Sequence, residues 1–383
     1  MKVAMICTEK LPVPPVRGGA IQTYISGIVD DLSSYHNVTV IGTTDPELAT
    51  DEIIRQVRYV RLNGLGVFET YAAEVVRFLQ TSEYDIIHVF NRPRLVPLIR
   101  DVCPNARIIL SMHNDMFDVA KIDPQVAVKA IESVERIITI SDYVGGVISS
   151  LYPAATEKLR TIYSGVDLGT FVPWEKSSQA RQVRQELRSQ HQLNGKQVIL
   201  FVGRLTPKKG ADILVRAMND LSKRHSNIAL VLVGGSWYSE DKVSDYVAYV
   251  RSLAGRSPIP VITTGFVSAE QIHQWFWAGD IFVCPSQWEE PLARVHYEAM
   301  AAGLPFVTTK RGGNAEVIIG GNGLLVEQPE NPLAFSEQLQ KLLSSRDLQR
   351  KMGSAGRMLA EERFTWNRVA REVREVWEGR GFR

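Results

Sequence analysis

Short apolar runs recur along this chain, each followed by a loop and then by a stretch with helical spacing, and the alternation starts afresh once, near Gln197. The first series passes through Lys2 to Cys7, Val38 to Gly42, Asp85 to Phe90, Arg107 to Met112 and Arg136 to Ser141. The second passes through Gln197 to Gly203, Ile228 to Gly234, Ile259 to Gly265, Asp280 to Cys284 and Pro305 to Thr308. Runs that are apolar throughout suit strands covered on both faces, and parallel strands need helical crossovers between them. Two such series predict an α/β chain with two doubly wound, Rossmann-like domains, and they direct attention to loops after the C-terminal strand ends. At 383 residues, each half can bury its own core. The expected division is 1–170 for the first domain, a polar, charge-rich connection over 171–195, 196–364 for the second domain, and a closing helix over 365–383 whose Val369, Val373, Val376 and Trp377 share a face.

Composition excludes several classes. Lys and Arg number 44 against 42 Asp and Glu, so the formal charge of +2 argues against a nucleic-acid partner while allowing a local basic cluster. Cys7, Cys103 and Cys284 show no Cys-x-x-Cys spacing and read as reduced residues of a cytoplasmic protein. No run approaches the ~18 apolar residues of a transmembrane segment, and Met1 to Cys7 is short for a signal peptide. No Asp-x-Asp, phosphate-loop lysine motif or His-Glu-x-x-His is present, so neither a metal nor a resident cofactor is expected.

Five places carry chemistry. In the stretch Ser286 to Gly303, Pro291 suits a first helical turn and Gly303 with Pro305 supplies a stop, so a helix is expected from about Leu292. Glu290 and Glu298 would then lie roughly 12 Å apart on nearly one side. A sugar nucleotide fits between them, since carboxylates accept hydrogen bonds from vicinal hydroxyls and free N–H groups at a helix start can face phosphate. The small apolar tail Ala299 to Gly303 implies that this helix is packed, with Glu298 at a cleft edge. Arg204 and Lys209 flank a Thr-Pro turn after a strand; they read either as a solvated basic turn or as two cations converging on a diphosphate. Gly18-Gly19 opens a helix and reads either as a turn needing glycine geometry or as an anion site; it is not the dinucleotide fingerprint. His113 follows one strand end, and Asn91-Arg92 follows another, where they could meet an acceptor.

The segment Glu290 to Gly303 resembles the Glu-x7-Glu signature of the family 4 retaining glycosyltransferases, with its Glu-Ala-Met-Ala-x-Gly tail intact. It departs from that family at Leu292 and Ala293, where an aromatic residue and a glycine are usual; alanine keeps the N–H donor. Gly18-Gly19, His113, Gly203-Arg204 with Lys209, and Glu290 to Gly303 occur in the family's order, and Tyr163 to Asp167 resembles its Asn-Gly-Val-Asp turn. The resemblance implies a GT-B architecture, two doubly wound domains facing across a cleft, acceptor side first and donor side second. It further implies metal-independent transfer of a hexose, with retention, from a nucleoside diphosphate sugar, UDP being the family expectation. Glu290 would orient the sugar hydroxyls, Arg204, Lys209, Gly18 and Gly19 would meet the diphosphate, and Glu298 the ribose. Leu292 and Ala293 would face the donor, Val267 the nucleobase, and His113 the hexose. The implied partners are a nucleotide sugar and a glycan, protein or small-molecule acceptor, in spore-coat or cell-surface glycan assembly. Two other readings stay open: a coat component that binds glycans or nucleotide without turnover, and a GT-B sugar-nucleotide epimerase.

Overall fold

The structure is a computed structural model that describes residues 1–236 and 243–380. The chain divides into two compact units, Met1–Gly165 with Trp366–Arg383, and Val166–Thr365.

The first unit is built on an eight-stranded sheet: β1 (Lys2–Ile6), β2 (Asn37–Thr43), β3 (Asp51–Ile54), β4 (Val57–Leu62), β5 (Ile86–Phe90), β6 (Arg107–Met112), β7 (Arg136–Thr139) and β8 (Leu159–Thr161). The order is β3-β4-β2-β1-β5-β6-β7-β8, parallel except for the antiparallel pair β3–β4 at one edge. Val3 to Ile6 of β1 are fully buried, as a central parallel strand requires. The helix Ala20–Ser33 lays Ile21, Tyr24, Ile25, Ile28, Val29 and Leu32 inward. The helix Trp366–Trp377 adds Val369, Ala370, Val373, Val376 and Trp377 to the same core. Trp377 is pinned there: its Nε1 donates to His88 Nδ1 at 3.2 Å, while His88 Nε2 meets Ser111 Oγ at 2.7 Å.

The second unit carries six parallel strands, β9 (Gln197–Val202), β10 (Ile228–Val233), β11 (Val261–Thr263), β12 (Ile281–Cys284), β13 (Phe306–Thr309) and β14 (Gly323–Val326), in the order β11-β10-β9-β12-β13-β14. Residues 171–195, expected as a connection, are built into this unit. Their helix Ser178–Gln190 sends Arg184 and Arg188 to Asp280, at 2.6 and 3.1 Å. The aromatic run Trp275 to Trp277 is core packing, and Trp277 Nε1 donates to the Val172 carbonyl. Among the described residues no helix is long and apolar enough to cross a membrane.

Strand order places the functional loops. In each sheet the winding direction reverses once, between β1 and β5 in the first unit and between β9 and β12 in the second. At such a reversal the two crossover helices diverge and leave a crevice beyond the C-terminal strand ends, where ligands of this architecture bind.

Candidate active site

In the second unit, the loops leaving β9 and β12 meet at the reversal. Gln287 N donates to the Lys208 carbonyl at 2.8 Å, joining the basic loop to the acidic one. Gly210 has φ +69, and a Cβ there would run into the Pro285 carbonyl oxygen, so only glycine allows the loops to approach this closely. Lys209 Nζ thereby reaches Glu290 Oε2 at 2.6 Å, across 81 residues of sequence.

Glu290 is 6% exposed, and three donors converge on its Oε2: Lys209 Nζ at 2.6 Å, Trp288 Nε1 at 2.8 Å and Ser286 Oγ at 2.9 Å. Burial pushes its pKa up, but the Lys209 charge and these three bonds outweigh burial and hold the carboxyl below its ordinary range. The group is therefore ionised at neutral pH. Its Oε1 receives no hydrogen bond from the described residues.

The expected helix start is corrected by the structure. The helix is Val295–Ala301, three residues later than Leu292, and residues 290–294 are not helical. Instead they are tied to the loop 312–314: Gly313 N donates to the Glu290 carbonyl at 2.8 Å, Gly312 N to Glu289 Oε2 at 2.6 Å, and Ala293 N to Asn314 Oδ1 at 3.3 Å. These bonds hold residues 289–293 against the 312–314 segment, outside the helix. The rise-based spacing of Glu290 and Glu298 therefore does not apply, and the Ala293 N–H expected to face the donor is held by Asn314. The predicted stop is as expected: Gly303, φ +72, donates to Met300 O, and Leu304 N to Ala299 O at 2.9 Å, a Schellman ending.

Glu298 lies on that helix with 13% side-chain exposure, its Oε1 3.4 Å from Arg294 Nη2. Burial raises its pKa, and Arg294 offsets only part of the rise. Arg204 is half-buried on the loop after β9. That loop shares a lip with the exits of β10 and β11: Gly234 N donates to Gly265 O at 3.1 Å, and a Cβ on Gly234 would meet the Gly203 carbonyl. Val267 follows two residues on and is half-buried. Gly312 has φ +53, and a Cβ there would strike the Glu290 carbonyl oxygen. Gly312→Ala is expected to cost about 1–3 kcal/mol and, by shifting Glu290, to lower any turnover about tenfold or more; unfolding and product-release measurements check both.

In the first unit, Gly18 and Gly19 have φ +80 and +108 and precede the helix Ala20–Ser33, with Gln22 Nε2 donating back to the Leu11 carbonyl at 3.0 Å. His113 follows β6 and is 7% exposed, its ring edge-on to Tyr24 at 4.8 Å. Asn91, with φ +56, accepts the N–H groups of His113 and Asn114 on Oδ1, both at 3.0 Å. Arg92 donates bidentately to Glu9, at 2.6 and 2.8 Å, and also to the Asn91 carbonyl. Asn91 and Arg92, expected to meet an acceptor, are buried, and these hydrogen bonds are directed within the unit; they shape the loop that carries His113. Ser286, Trp288, Asn314 and Glu9 are hydrogen-bond partners of the predicted site residues that sequence reasoning missed: Asn314 and Glu9 come from distant loops, and Ser286 and Trp288 gain their partner only through the fold of the Glu290 loop.

Two doubly wound units in one chain, the second with a paired cation and carboxylate at its strand reversal, fit a glycosyltransferase of the GT-B type. Residues 183–358 match the family described as glycosyl transferases group 1, and residues 21–170 match glycosyltransferase family 4. The chain belongs to this glycosyltransferase family. It is 43% identical to spore coat protein SA of Bacillus subtilis (strain 168), covering 99% of both chains, and 39% identical to the putative glycosyltransferase YtcC of the same organism, covering 99% of this chain and 92% of the relative. In fold it is similar to Anabaena Alr3699/HepE, whose crystal structure is a complex with UDP: TM-score 0.79, 20% identity, covering 99% of this chain and 100% of that one.

Proposed function

We propose that the chain transfers a hexose from a UDP-linked sugar to an acceptor in spore-coat or cell-surface glycan assembly, with retention at the anomeric carbon and without a metal ion. The observation that carries this reading is the Lys209–Glu290 pair at the reversal of the second sheet. Glu290, anchored through Oε2, has Oε1 left to accept a sugar hydroxyl. Lys209, with Arg204 on the same loop, supplies positive charge for the diphosphate. Glu298 is assigned the ribose hydroxyls, Val267 the base, and the backbone at Leu292 and Ala293 the donor, with Asn314 giving up the Ala293 N–H as the ligand arrives. In the first unit the family resemblance assigns His113 to the hexose and Gly18-Gly19 to the diphosphate.

In the reaction, the bond from the anomeric carbon to the phosphate oxygen breaks, and the acceptor oxygen bonds to that carbon on the same face. The acceptor proton passes to the departing phosphate. Charge grows on the diphosphate as the bond lengthens, and fixed cations there lower the barrier by about 3–4 kcal/mol for a single well-placed group. The relation to spore coat protein SA and the UDP complex of HepE support the coat and UDP parts of the reading.

The test is a panel of UDP-, ADP- and GDP-linked hexoses, scored for nucleoside diphosphate release with and without chelator. UDP release unaffected by chelator is expected. Binding with no release would turn the reading toward a non-catalytic coat component, and a sugar nucleotide recovered with an altered hydroxyl configuration would turn it toward an epimerase.

A further inference from the structure

We propose that Trp288 is a positioning residue of the donor site, its indole N–H holding the Glu290 carboxylate and its ring face holding the Lys208 and Lys209 ammonium groups beside the diphosphate position. The inference rests on the reading of Glu290 and Lys209 given above and adds a residue to it.

Geometry carries the first half. Trp288 Nε1 lies 2.8 Å from Glu290 Oε2, the same oxygen that Lys209 and Ser286 engage. An indole has one donor and no acceptor, so this bond serves the ionised carboxylate on Oε2. Its value appears when a donor substrate binds. A diphosphate competes with Glu290 for the Lys209 ammonium, and a carboxylate that is 8% exposed would then lose its only cationic partner among the described residues. Two neutral donors, the indole N–H and the Ser286 hydroxyl, remain to keep Oε2 satisfied and the carboxylate in place.

The ring carries the second half. Lys208 Nζ lies 5.0 Å and Lys209 Nζ 6.0 Å from the indole ring centroid, within cation–π range of the aromatic side chain best suited to it. Adjacent ammonium groups repel each other, and the negative ring face offsets part of that repulsion. The contact is not a loose surface encounter, because the neighbouring Gln287 N–H is bonded to the Lys208 carbonyl. One half-buried side chain therefore touches both the acid and the cations, and removing the indole N–H while keeping a ring tests its hold on the acid.

The spectra are taken on the unliganded full chain, so they answer independently of whether transfer is observed. In the wild type, the Trp288 indole proton resonance is expected to shift with the titration of Glu290, and to stay flat in Glu290→Gln. Trp288→Phe keeps a ring but removes the donor. The carbon-13 titration midpoint of Glu290, assigned by its loss in Glu290→Gln, is expected to rise by about one unit in that variant, and Ser286→Ala to shift it in the same direction. A purely structural tryptophan would change the unfolding midpoint and leave this titration alone. An indole resonance that ignores the Glu290 titration, or a Glu290 midpoint unmoved in Trp288→Phe, overturns the assignment. A wild type that titrates as expected yet releases no nucleoside diphosphate would count against the transferase reading and leave Trp288 in its place.

Discussion

Lys209→Ala is expected to lower donor turnover by at least about 10²-fold and to destabilise the second unit by up to about 3 kcal/mol, whereas Glu290→Gln loses comparable turnover at a cost of only about 1 kcal/mol. The asymmetry follows from burial. The Glu290 side chain is 8% exposed and that of Lys209 is 20% exposed. Removing the lysine leaves a desolvated carboxylate with two neutral donors. Removing the acid's charge leaves an ammonium that can turn toward water, while the amide still accepts from Ser286 and Trp288. Lys209→Met combined with Glu290→Gln should therefore recover most of the stability lost in Lys209→Ala and none of the turnover. The pH dependence follows from the same balance. The folded carboxyl sits below its ordinary value, so its stabilising contribution is present above the unfolded pKa, about 4.3, and is lost as pH falls through the lower folded value. In Lys209→Ala burial is opposed only by the neutral donors, and the folded pKa should move up. Wild-type turnover in Lys209→Ala would remove this lysine from the reaction, and equal stability losses in the two single variants would remove the pair's asymmetry.

The parts of this fold that could be read from the chain are those whose pattern is local. β10 is apolar throughout and β1, β5, β6 and β9 are mostly so, because neighbours cover both faces, and the sequence shows this directly. The hairpin β3–β4 escaped because its turn residues Arg55 and Gln56 adopt φ +46 and +71 without glycine or asparagine to signal it, and because its edge strand is exposed and charged. β8 and β14 are too short to show a period. The helix after Glu290 was expected too early, since no local rule reports that residues 289–293 are tied to the 312–314 segment. At the site, the two glutamates and the basic turn were visible by residue type. Their meeting was not, because it depends on β9 and β12 being neighbours, a property of strand order. Trp288 stood two residues from Glu290 in plain view, yet an indole N–H has a role only when a carboxylate is placed against it.

A second large effect is expected in the first unit, where Trp377 completes the core. Trp377→Ala should destabilise that unit by about 3–5 kcal/mol, the range for truncating a fully buried tryptophan. Trp377 also sets the state of His88. That imidazole is fully buried, stacked on Phe90, with Nδ1 accepting the Trp377 indole proton and Nε2 meeting Ser111. Burial, with a smaller contribution from His113, pushes its pKa down to about 3 from the ordinary 6.5. A neutral ring is therefore built into the fold, and the unfolded chain takes up a proton that the folded chain refuses. The stability this gives is complete above about pH 6.5 and is lost as pH falls toward about 3, at about 1.4 kcal/mol per unit, or about 2 kcal/mol by pH 5. His88→Gln can keep both hydrogen bonds through its amide but does not titrate. It should start less stable at pH 7.5 and lose less on acidification, with hydrogen-exchange protection of the β5 amides as the local readout. His36 is also lowered by burial and lies near Trp377, so the wild type retains some acid sensitivity in either case, and the difference between the two proteins isolates His88. Parallel pH slopes in the wild type and His88→Gln would show that His88 is not the group the fold keeps neutral.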